Sequence, residues 1–323
     1  MAKRLRAIAC LFLFGAAATA SADGMRVREA DRRGEEQTYL TFPEWFLVFS
    51  PAEYAAMLRG RRPSEFPFFG HIGQFWGSYA RIIGATRKYP FNAEYHTMIG
   101  VIGVSTTAEY GIKGAYETLI GRLTELTVPD YGTREDLLAA RQAQDYVDFI
   151  RVRPWYEFDF VSPLKELWTE IPWWGSHPIR KWERRYALTS EWAAKAVYAA
   201  LLETATRSAF ALPTEQTAAI VGKPGQEMQI ALQRYQAFTD GAVRLAAQGV
   251  PFIEIAGNRD VILVSLLAPK GVAPPPGTRL FLRQPVNSPP GRERQVLEVP
   301  VANLSATLVV ARNSGTFVEH VFD

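Results

Sequence analysis

FFGHIGQFWGSYARIIGATRK, residues 68–88, decides how the fold is read. At 100° per residue, Gly70, Gly73, Gly77 and Gly84, with Ala80, fall within about 80° of arc, so the segment reads as a glycine-striped helix. Pro90 stops it. The next periodic segment, about Ala93–Leu126, carries a second small-residue stripe: Gly100, Gly103, Thr107, Gly111 and Gly114. Each interior glycine costs roughly 1 kcal/mol relative to alanine. Two such helices recover that cost if they pack backbone against backbone. The expected arrangement is an antiparallel hairpin across the turn at Tyr89–Asn92. Met98–Val104 also fits a buried strand, because the run is rich in β-branched residues.

Working outward, Thr41-Phe-Pro-Glu44 and Ser50-Pro-Ala-Glu53 both fit capping boxes and predict two successive helix starts, the second running to about Arg59. Residues 23–36 are charged and aperiodic and read as a flexible lead-in. Thr133–Ile150 reads as a helix. An aromatic stretch from Trp155 to Trp174 follows, punctuated by prolines, with Ser162-Pro163 opening a short helix. A long helix is expected from about Arg180 to Ser208. After Leu212 the pattern changes. Met228–Leu232, Phe252–Ile255 and Val261–Leu267 read as strands, and Ala237–Gln248 as a helix. Leu280–Leu282, Val296–Val301, Ala306–Val310 and Phe317–Val321 are further candidate strands. The fold class is therefore α+β. A predominantly helical domain of packed, glycine-striped helices (37–211) precedes a smaller α+β or β-rich domain (212–323).

Residues 1–22 have the layout of a secretory signal peptide. Lys3, Arg4 and Arg6 precede an apolar run, Ala7–Ala18, broken only by Gly15, and Ala20-Ser-Ala22 offers a cleavage site. The run is about 12 residues, short of the ~18–20 that span a bilayer. A periplasmic or secreted location is expected, with anchoring in the inner membrane as the alternative. Removing the leader takes three of 36 basic residues and leaves 33 against 33 acidic ones. A neutral mature chain loses the main warrant for nucleic-acid binding. Cys10, the single cysteine, goes with the leader, which excludes disulfides, thiol catalysis and thiolate metal sites.

One motif recurs. Thr107-Ala-Glu-Tyr-Gly-Ile-Lys-Gly-Ala-Tyr116 aligns with Thr189-Ser-Glu-Trp-Ala-Ala-Lys-Ala-Val-Tyr198, with threonine, glutamate, lysine and the last tyrosine identical. In a helix Glu, Lys and Tyr at this spacing share one stripe. On a surface such a Glu–Lys pair is worth about 0.2–0.5 kcal/mol and is common. Two features favour an interior place. Met98, Ile102, Ile112 and Ile120 flank Glu109 and Lys113, and the pattern occurs twice. The twin helices are expected to face each other across a pseudo-twofold axis. Glu109, Lys113, Glu191 and Lys195 would line a polar spot beneath aromatic walls, with Tyr116 and Tyr198 beside it and Arg180 and Arg184 as charge partners.

The four histidines, His71, His96, His177 and His320, show no metal-ligand spacing, although antiparallel packing would let His71 approach His96. No metal or cofactor is expected. No Gly-x-Ser-x-Gly elbow, phosphate loop or dinucleotide fingerprint is present. The Trp155–Trp174 stretch suits core, a pocket wall or a membrane headgroup region. The expected function is a non-catalytic envelope protein that binds a hydrophobic or amphipathic small molecule or a membrane surface, its C-terminal strands meeting a protein partner. The competing classes are a hydrolytic enzyme, with Glu109 or Glu191 as general base and His71 nearby, and a structural component of an envelope complex.

Overall fold

The computed structural model describes residues 25–128, 131–209 and 216–323. The leader and Cys10 lie outside the described residues. The lead-in is not a free segment. Val27 is fully buried against Ala218 and Ile220, and its amide donates to Glu254 at 3.0 Å.

The two predicted helix starts merge into one helix, α1 (Gln37–Met57), with Pro43 and Pro51 inside it. Tyr39, Phe42, Trp45, Phe46 and Phe49 bury one side of this helix, and that packing outweighs the lost backbone donors. Ser50 is therefore not a cap. α2 (Phe68–Thr86) and α3 (Ala93–Tyr116) follow, the latter capped by Asn92, whose side chain accepts from the Tyr95 amide at 3.0 Å. Met98–Val104 is helical. α3 passes through a π turn (Glu117–Gly121) into α4 (Arg122–Glu125). α5 (Arg134–Ile150), α6 (Val161–Glu170) and α7 (Pro178–Ala209) complete the helical part.

α2 and α3 pack together, but not backbone on backbone. Rings fill the space at two glycines: Phe75 and Trp76 stand against Gly103, and Phe68 against Gly114. Gly73, Gly77, Gly84, Gly100 and Gly111 have nothing within 4 Å of a would-be Cβ. The α2 stripe therefore faces outward, whereas the α3 stripe is half-buried to buried.

The C-terminal part has two antiparallel sheets. β1 (Gln216–Val221), β2 (Met228–Gln233) and β3 (Phe252–Ile255) form one, in the order β2-β1-β3. β4 (Val261–Pro269), β5 (Arg279–Pro285), β6 (Arg292–Pro300) and β7 (Phe317–Val321) form the other, in the order β5-β6-β4-β7. α8 (Gln236–Ala247) and α9 (Leu304–Asn313) share their core. Ala306–Val310 is thus helix rather than strand, because Leu304, Leu308 and Ala311 recur at helical spacing and are all buried. A further core joins the two parts: Phe42, Trp45, Phe46 and Phe49 of α1 meet Leu263, Val296 and Phe322.

The helical part is an internal duplication. Glu53-Tyr54, Pro63, Glu65-Phe66, Phe68 and Trp76 recur in order as Asp145-Tyr146, Pro154, Glu157-Phe158, Phe160 and Trp168. Each series passes through one 3-10 turn, Pro63–Glu65 or Trp155–Glu157. Ring geometry repeats as well. Tyr54 meets Phe66 edge-on at 5.0 Å, and Tyr146 meets Phe158 edge-on at 5.2 Å. The units are α1-α2-α3 and α5-α6-α7.

Candidate functional site

The twin motifs meet. α3 and α7 run antiparallel, since Ser105 bonds Tyr198, Lys113 bonds Glu191 and Tyr116 touches Tyr186. The motif ammonium groups cross between units. Lys113 Nζ donates to Glu191 at 2.7 Å, and Lys195 Nζ lies 3.3 Å from Glu109. Lys195 also donates to Glu191 on its own helix at 2.9 Å. Each lysine lies over the tyrosine of its own unit's first helix, Lys113 at 4.2 Å from the Tyr54 ring and Lys195 at 5.0 Å from Tyr146. Phe68 and Trp192 complete the two aromatic walls.

The supporting contacts are paired too. Trp76 donates to Thr107 at 2.9 Å, and Trp168 to Thr189 at 3.1 Å. The aromatic after each glutamate bonds the first helix of its unit: Tyr110 to Ser50 at 2.7 Å, Trp192 to Gln142 at 3.0 Å. Ser50 continues to His71 Nδ1 at 2.8 Å, where Gln142 donates to the Pro163 carbonyl at 2.9 Å.

Burial alone would raise the Glu191 carboxyl. Lys113 and Lys195 outweigh it and hold the group well below the usual carboxylate range. Burial lowers the Lys195 ammonium, and Glu109 and Glu191 reverse that and raise it. Glu191 is thus a committed counter-ion and a poor base. Glu109 is the open member, its side chain 43% exposed against 14–18% for the other three. The cleft among these groups holds about 70 Å³, room for a few waters and not for a bulky ligand.

The other predicted residues go elsewhere. Arg184 does not reach Glu191. It forks onto Glu117 at 2.9–3.0 Å and pairs with Glu183. The π turn brings Glu117 to it. Arg180 binds Asp136 at 3.2 Å and Glu183 at 3.1 Å. Tyr116 faces Tyr186 and Glu183, and Tyr198 stacks on Trp155. His71 is buried, 3.7 Å from Glu53, and reaches the cleft only through Ser50 and Tyr110. Burial, then Arg294, pushes its imidazole down to about 3. His96 bonds Tyr79 instead of approaching His71. Among the described residues no group of three His, Cys, Asp or Glu can hold a metal ion. A group missed from sequence is Glu44, raised by burial to about 7 beside Tyr95.

α7 is inside-out over its first turns, and α3 is apolar on both sides, its buried positions being Tyr95, Ile99, Gly103, Thr106, Tyr110 and Gly114. Between residues 97 and 120 the exposed side of the chain carries Met98, Val101, Val104, Ile112, Leu119 and Ile120, with Glu109 the one exposed charge. Between 179 and 200 the exposed residues are Ile179, Trp182, Tyr186, Ser190, Ala194, Val197 and Ala200, with no charge among them. Arg180, Lys181, Glu183, Arg184 and Arg185 of the same helix are all buried. Ordinary amphipathic helices do the reverse. No helix among the described residues is long and apolar enough to cross a membrane. Comparison of the chain with protein-family models, with curated proteins and with solved structures gives no match.

Proposed function

We propose that this chain is a non-catalytic binding protein of the cell envelope that docks an apolar or amphipathic partner through the outer faces of α3 and α7. The apolar outer sides of those helices, set in α7 over buried charge, carry the reading. Apolar surface left in water costs about 25 cal/mol per Å², and a large contiguous patch of it marks an interaction site. The envelope placement rests on the leader-like residues 1–22. The quartet serves as a polar keystone beneath the face: it locks the two units while keeping charge away from the surface. Hydrolysis is disfavoured, since Glu191 is tied between two ammonium groups and His71 is sealed from the cleft.

Cloud-point partitioning in a nonionic detergent tests this. The protein, without residues 1–22, is expected to enter the detergent phase. Ile112→Glu combined with Val197→Glu should return it to the aqueous phase. A wild-type chain that stays in the aqueous phase sinks the reading.

A further inference from the structure

Resting on that reading, we infer that the partner is the surface of a lipid bilayer, on which α3 and α7 lie flat. The axis that exchanges the two units passes through the α3–α7 contact and through α1 and α5, which pack together beneath it. The outer stripes of α3 and α7 therefore face the same way. Each runs about 30 Å at 1.5 Å per residue. The two stripes flank the small cleft over the quartet, and their length and want of charge suit a fluid apolar partner better than a single docking helix. The underside is charged or polar: Arg180, Arg184, Glu117 and Glu183 are buried there, and α1 leads on to the sheet. The molecule is thus built to rest at the interface and not to pass through it.

The aromatic residues support a headgroup-level contact. Trp168 of α6, Trp173 and Trp174 of the connection that follows, and Trp182 of α7 are exposed and touch one another in series. The Arg185 guanidinium lies 4.6–5.7 Å from three of these rings. Tryptophan in such company prefers the membrane–water boundary. Between residues 97 and 120 and between 179 and 200 the stripes expose no basic residue and only Glu109 as a charge, with Glu94 and Arg122 exposed at the two ends of the first, so attachment comes from apolar burial. It should not depend on anionic lipid or on salt.

The test is flotation of the mature chain with vesicles of pure phosphatidylcholine and of phosphatidylcholine with phosphatidylglycerol, at low and high salt. Tryptophan quenching by brominated phosphatidylcholine is read in parallel. Binding to both vesicles, salt-independent and with quenching, is expected. Ile112→Glu with Val197→Glu should weaken it by about tenfold or more. Both side chains are exposed, at 73% and 63%, so the fold should survive, which circular dichroism checks. Val310→Glu, on the exposed side of α9, should change nothing. Equal loss in Val310→Glu, or binding only to anionic vesicles at low salt, overturns the inference. Detergent partitioning without vesicle binding overturns it while leaving the docking reading intact. So does a lipid-free dimer in sedimentation that the double variant abolishes, if no vesicle is bound. Failure in both detergent and vesicles overturns both.

Discussion

The two helical units share a frame and differ in how they end. In the first, Ser50, His71 and Tyr110 form the latch between helices. In the second, Gln142, the Pro163 carbonyl and Trp192 do the same work. Glu53 is buried and binds Arg294 at 3.1 Å, which also binds Glu319 at 2.6 Å and covers the Phe49 ring. Its counterpart Asp145 is exposed. The difference teaches that duplication preserved the chemistry at the axis. The units diverged where their surroundings diverged, since α1 of the first packs on the sheet.

The sharpest way to break this comparison is at Arg294. Arg294→Met strands the buried Glu53 and removes a partner of the partly buried Glu319, and should cost about 3–5 kcal/mol in chemical denaturation, whereas Asp145→Asn should stay within about 0.5 kcal/mol. Comparable effects at the two sites would mean that the units are not differently loaded.

Within the quartet, Glu191→Gln should cost about 1.5–3 kcal/mol, because it leaves two lysines facing a neutral amide. Glu109→Gln should cost less than about 1 kcal/mol, since that side chain is half in water. The asymmetry also has a pH signature. Glu191 is held below its ordinary 4.5, so its stabilisation is complete above that value and fades as pH falls further. Denaturation midpoints of Glu191→Gln should therefore drop less between pH 5 and about pH 3 than those of the wild type.

Glu44 has the opposite sign. A carboxyl raised to about 7 keeps its proton in the folded state, so stability declines as pH rises from about 4.5 to 7. Glu44→Gln should flatten that decline, as followed by thermal unfolding across the same window. An unchanged slope would place the titration elsewhere.

The fold class and the meeting of the twin motifs were legible because helical periodicity groups side chains by face. Direction was not. The glycine arcs are real, but an arc says which residues share a side, not whether that side looks in or out. α7 inverts the usual assignment, and α3 is apolar on both sides. Arg184 and Glu191 share a face, but that could not reveal that a π turn would deliver Glu117 to Arg184. In Ala306–Val310, β-branched residues masked a helix whose buried positions are Leu304, Leu308 and Ala311. The longer repeat was available without any structure. Glu53-Tyr54 through Phe68 can be laid on Asp145-Tyr146 through Phe160 without a gap, the prolines alone falling one place out of register, and Trp76 then falls on Trp168.

The crossed lysines bear on how such a chain comes about. A polypeptide ending after α3 could complete its carboxylate–ammonium exchange only with another molecule of itself, at whatever concentration the cell supplied. Tandem fusion makes the partner permanent at an effective concentration of order millimolar. It also frees each half to change alone, one acquiring a sheet to lean on and the other a run of tryptophans.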